Sequence, residues 1–128
     1  MVTASLKNYR IAPRKMRLVA DMIRGKGVAE AGLILIHADK KGKHPLAALL
    51  DSAMANAVNN FKLDRDTLIV KEIRVDQGYV LKRSMPVSRG SAHPIKKRTS
   101  HVSIVLAPAE QSKGRKAKKS KTENNSTL

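Results

Sequence analysis

The sequence predicts an α+β fold: a small antiparallel sheet packed on about three helices, with a long protruding β-hairpin and a disordered basic C-terminal tail. Three observations predict it. Apolar residues recur with helical spacing in segments between residues 13 and 61. Two β-branched segments follow, near 68–75 and 102–106, the second alternating cleanly with polar residues. Between them, at about 79–98, lies a stretch without a single acid, in which Gly90 is flanked at equal distance by Pro86 and Pro94. A chain of 128 residues supports one core, so residues 1–108 read as a single domain including the hairpin, and 109–128 as the tail.

Taken in order, Val2 to Arg10 reads as a strand. Pro13 suits a first helical position, and Met16, Val19, Ala20 and Ile23 keep helical spacing until Gly25 stops it. Arg10, Arg14, Arg17 and Arg24 fall mainly away from that stripe, so a row of guanidinium groups is expected on the other side. A second helix runs from about Val28 to His37, apolar at Ala31, Leu33, Ile34, Leu35 and Ile36, with Gly32 costing about 1 kcal/mol of propensity. After Pro45, Leu46, Leu49, Leu50, Ala53, Met54, Ala57, Val58 and Phe61 define the central core helix.

Strand alternation slips at Lys71-Glu72, which suggests a bulge or strong twist. Prolines inside the hairpin are tolerable because a free two-stranded ribbon consists only of edges. From Asp76 to Gly90 such a ribbon would reach ~45 Å at ~3.3 Å per residue. That exceeds the ~13 Å radius of gyration of a domain this size, so the hairpin should project and be marginal until something holds it. After Pro108 no apolar periodicity remains, only a lysine-rich polar run.

A net charge of +16 calls for a polyanionic partner, and its distribution says more than its size. Residues 1–29 carry an excess of +6, residues 77–109 another +6 and residues 110–128 a further +4, whereas 30–76 sum to zero. A neutral packing unit with basic surfaces on either side fits that partition. Candidate RNA-binding residues are Arg10, Arg14, Lys15, Arg17, Arg24 and Lys26 around the first helix, and Lys82, Arg83, Arg89, Lys96, Lys97, Arg98 and His101 on the hairpin side. Guanidinium forks match phosphate oxygens, and Arg14, Lys15 and Arg17 lie at a helix start whose N–H groups also favour anions. Charges that merely protect a sheet edge would not require a ribbon that outreaches its core. Tyr9, Phe61 and Tyr79 are the only aromatics, so recognition should run through phosphates and shape rather than base stacking.

Other classes find little support. Cysteine is absent, and none of His37, His44, His93 and His101 has a partner at metal-ligand spacing, so neither metal nor cofactor is expected. Gly25-Lys26-Gly27 lacks the rest of a phosphate-cradling loop, and no nucleophile or carboxylate pair suggests an enzyme or a small-molecule substrate. No segment approaches the ~18 apolar residues of a membrane span, and the N-terminus has no apolar leader, so the expected place is the cytoplasm. The competing expectation is a DNA-bending architectural protein with a basic β-arm, Pro86 or Pro94 serving as a wedge.

One further pattern is specific. The run Ala12-Pro13-Arg14-Lys15-Met16-Arg17-Leu18-Val19-Ala20-Asp21-Met22-Ile23-Arg24-Gly25-Lys26 resembles the opening helix of the universal L twenty-two family of bacterial large-subunit ribosomal proteins. The core-helix run from Ser52 to Asn60, the strand Val70 to Asp76, Leu81-Lys82-Arg83 and Lys97-Arg98-Thr99-Ser100-His101 match in order, over about residues 5–107. The resemblance implies a scaffold that binds large-subunit rRNA and neighbouring ribosomal proteins and aids assembly. It also implies a hairpin tip at Met85, Pro86, Val87, Ser88, Arg89, Gly90, Ser91 and Ala92 that lines the nascent-peptide exit tunnel, meets the nascent polypeptide and influences macrolide action. Members usually place more Arg or Lys around that turn. Here Arg89 is the sole fixed charge between Arg83 and Lys96.

Overall fold

A computed structural model describes residues 1–109. The order is β1 (Val2–Tyr9), α1 (Pro13–Ile23), α2 (Val28–His37), α3 (Lys43–Phe61), a short 3-10 turn (Arg65–Thr67), β2 (Leu68–Pro86), a second such turn (Ser88–Gly90) and β3 (Ala92–Pro108). The α+β architecture expected from the sequence is present. The basic tail lies, from residue 110 on, outside the described residues.

The sheet has three strands in the order β1-β3-β2, both pairings antiparallel. β3 is central, so its inner face reads Val102, Ile104 and Leu106, all fully buried. The sheet and the hairpin are made of the same two strands: β2 and β3 stay paired from Leu68↔Pro108 out to Pro86↔Ala92, while β1 accompanies β3 only from Leu106 to Ser100. Beyond Ser100 the sheet loses a strand and becomes a ribbon.

The core lies between one face of the sheet and the three helices. α1 contributes Met16, Val19, Ala20 and Ile23, all 0 % exposed, as its spacing predicts. α3 contributes Leu46, Leu49, Leu50, Ala53 and Ala57, whose small alanines let β1 come close. One expectation needs correction. Phe61, read as the last core position of α3, is 53 % exposed: it is the final helical residue, after which the chain turns away through a left-handed Lys62. In α2 only Val28, Ala31 and Leu35 are buried, and Leu33 and Ile36 face outward.

The slip at Lys71-Glu72 is a bulge: the β2–β3 register shifts between Val70 and Glu72. Two more irregularities flank one point of β3, between Leu6 and Tyr9 on β1 and between Gln77 and Val80 on β2. Here the ribbon leaves the body. Gly78 is needed there for space, since a Cβ would lie 2.4 Å from the Thr99 hydroxyl and 3.2 Å from the His101 ring. Among the described residues Thr99 and Ser100 are the two buried polar ones, and both hydroxyls donate to carbonyls, Thr99 to Tyr79 at 2.7 Å and Ser100 to Ile11.

Candidate nucleic-acid interface

The fold gathers the basic residues that the sequence keeps apart. The loop after β1 sets Arg10 beside the first turn of α1, and the ribbon root passes the same place. The result is a cleft of about 540 Å³ lined by Arg10, Lys15, Arg83, Lys96, Lys97 and Arg98. A second cleft of about 710 Å³ shares Arg10, Lys15 and Lys97 and continues past one acid, Asp39, to Lys40 and Lys41 in the α2–α3 loop. Six cations in one open cleft repel one another unless anions lie between them. α1 adds to the demand, having no acid in its first turn and no side-chain cap on its N-terminal N–H groups.

The ribbon repeats that theme. Lys82 stands directly opposite Lys96, and the next pairs are Leu81↔Lys97 and Val80↔Arg98. Like charges directly opposed destabilise a strand pair, so the Lys82–Lys96 register weakens the ribbon by itself. At the far end Arg89 and Gly90 adopt left-handed φ of 60° and 72°, closing the turn with Val87 N–H donating to Ser91 O at 2.9 Å. Met85, Pro86, Ser88, Arg89, Ser91 and Ala92 are exposed and Val87 is half-buried.

Not every expected residue joins the clefts. Arg14 is exposed on the first turn of α1. Arg17 and Arg24, expected in a row of outward guanidinium groups, reach sideways to β2: Arg17 donates through Nε and Nη2 to Val75 O at 3.3 and 3.1 Å, Arg24 through Nη2 to Ile73 O at 3.1 Å. Arg24 also pairs with Asp21 at 2.6 Å and Lys26 with Glu30 at 2.8 Å. These pairs are exposed and hold weakly. His101 sits at the root, its Nδ1 accepting from the Asn8 N–H. Lys40 and Lys41 went unnoticed in the sequence because the acids of 30–76 cancel them on average; their adjacency next to Gly42 is the signal that was there. Arg74 is spoken for: the hydrogen bond that its Nη2 donates to Glu72 Oε1 at 2.7 Å, then the charges of Glu72 and Asp76, raise its pKa above the ordinary arginine value.

The sequence model described as Ribosomal protein L22p/L17e matches residues 4–107. The chain belongs to the L22p/L17e family of ribosomal proteins. Proteins named large ribosomal subunit protein uL22 agree with it along most of their length. That of Thermus thermophilus is 53% identical over 103 residues, covering 80% of this chain and 91% of its own. Those of Akkermansia muciniphila and Pediococcus pentosaceus are 49% and 47% identical, covering 85% and 84% of this chain and 97% and 92% of their own. As an L22p/L17e protein the chain is a structural constituent of the large ribosomal subunit, not an enzyme, and its place is the cytoplasmic ribosome. That membership selects the ribosomal expectation over the DNA-bending one.

Proposed function

We propose that the chain binds large-subunit rRNA through the paired basic clefts and inserts its ribbon among rRNA segments, aiding subunit assembly and presenting residues 85–92 to the nascent-peptide exit tunnel. The observation that carries the reading is the direct opposition of Lys82 and Lys96 on a ribbon whose body end is a six-cation cleft. Such a ribbon is built for a phosphate-lined channel rather than for water. Arg10, Arg14, Lys15, Lys40 and Lys41 hold RNA at the body; Lys82, Arg83, Lys96, Lys97 and Arg98 hold it along the ribbon. Arg24, Lys26 and His101, which lie outside both clefts, add further RNA contacts. Neighbouring ribosomal proteins are the partners for what RNA leaves uncovered.

The tip makes a separate, finer claim. With Arg89 as its lone charge it offers a nascent polypeptide mainly small and apolar groups: Met85, Val87, Ser88, Gly90, Ser91 and Ala92. A photoreactive amino acid at Ser88, in ribosomes translating a defined message, should crosslink to the nascent chain. Crosslinks to rRNA or protein alone, with none to the nascent chain, would remove the tip from the tunnel wall.

A further inference from the structure

β2 is an edge strand, and α1 with the loop after it covers the outer side of its root. Gly25 N–H donates to Val70 O and Val70 N–H to Lys26 O, both at 2.9 Å. Further out, Arg24 meets Ile73 O, and Arg17 places two donors on Val75 O. α1 therefore runs antiparallel to β2, Arg24 lying nearer the start of the strand and Arg17 nearer the ribbon. Its side chains complete an edge that a fourth strand would otherwise pair. Val75 is the outermost β2 carbonyl that α1 holds, and three residues on, at Gly78, the register shifts and the ribbon departs.

We infer that Arg17 is a positioning residue for the hairpin: its guanidinium, seated on the Val75 carbonyl, sets the direction in which the ribbon leaves the body. A planar fork with two N–H groups on one acceptor fixes orientation as well as distance, which a lysine ammonium does not. The cationic side chain thus acts through backbone geometry, unlike Arg14 one turn earlier, which is turned to solvent. The functional half of the inference rests on the proposed insertion of the ribbon into RNA; the structural half does not.

The test uses the full chain and three variants, Arg17→Ala, Arg17→Lys and Arg14→Ala, with two readouts. In the free protein, hydrogen exchange of Arg17→Ala should rise at residues 74–81 while β1 and α3 keep wild-type protection; Arg17→Lys should show the same local rise, and Arg14→Ala none. On large-subunit rRNA, Arg17→Ala should lose the chemical footprint that depends on residues 85–92 and keep that of the body. Arg14→Ala should instead weaken the whole footprint and reduce the salt dependence. Unchanged exchange in Arg17→Ala, or a rise spread equally over β1 and α3, would overturn the inference. Should the wild-type chain itself give no tip-dependent footprint, the proposed insertion fails, and local exchange alone then decides the role of Arg17.

Discussion

The Nδ1 of His101 accepts a hydrogen bond from the backbone N–H of Asn8 at 3.0 Å, joining β3 to the one residue of β1 that takes a left-handed backbone, φ 55°. The ring thereby pins the point where β1 stops following β3. Because Nδ1 is the acceptor, the ring proton lies on Nε2. Replacing His101 with Ala leaves the Asn8 N–H without this partner and should cost about 1 kcal/mol in a denaturant titration. No measurable change would mean that the bulge in β1 holds itself.

Gly78 faces the same node from the other side. Gly78→Ala drives a Cβ into the Thr99 hydroxyl, which is buried and already committed to Tyr79 O. The expected loss is about 1–3 kcal/mol, with exchange raised at residues 78–80 and 98–100. An alanine variant as stable as the wild type would show that the node yields more easily than its packing suggests.

The core divides between residues that periodicity identified rightly and one that it did not. Leu50→Ala should cost about 2–5 kcal/mol, since Leu50 is 2 % exposed beneath the sheet. Phe61→Ser, on the same stripe by spacing, should stay within about 0.5 kcal/mol. Comparable losses at the two positions would contradict the exposure of Phe61.

Those two residues also mark how far a sequence carries. Spacing states which side of α3 is apolar, but not where the helix ends and the chain turns away, so Leu50 was legible and the fate of Phe61 was not. The bulge at Lys71 was legible because the alternation itself slips there. The shift at Gly78 was not, since it depends on Thr99 and His101 from a strand twenty residues on. At the basic face, Arg10, Lys15, Arg83 and Lys96–Arg98 could be read from local charge. Lys40 and Lys41 were hidden by averaging, and the reach of Arg17 to Val75 needs the sheet edge that only the fold supplies.

The ribbon's charge register gives a prediction with opposite signs in the free and bound states. Lys82→Glu places a carboxylate opposite Lys96, which should stabilise the free ribbon by roughly 0.2–1 kcal/mol and slow its hydrogen exchange. The same change should weaken rRNA binding and lower its salt dependence. In the wild-type free protein, residues 82–97 should exchange rapidly. Strong protection there would mean that the ribbon needs no RNA to order it.

Lys40→Ala combined with Lys41→Ala asks whether the second cleft takes part. The slope of log affinity against log salt should fall by on the order of one for each lysine that meets a phosphate. Folding stability should be nearly untouched, because both side chains are exposed. A wild-type slope in the double variant would confine RNA to the first cleft.

The proposed function has the protein select large-subunit rRNA through body and ribbon together. It is tested most directly by binding the full chain, and a form lacking residues 85–92, to large-subunit rRNA fragments and duplex DNA across a salt series. Preference for one rRNA region should survive at physiological salt, with the deletion removing a discrete part of the footprint and leaving the body's part. Equal affinity for rRNA and duplex DNA, collapsing together by ~10³-fold or more between 50 and 200 mM salt, would contradict it and leave only a generic attraction between a basic chain and any polyanion.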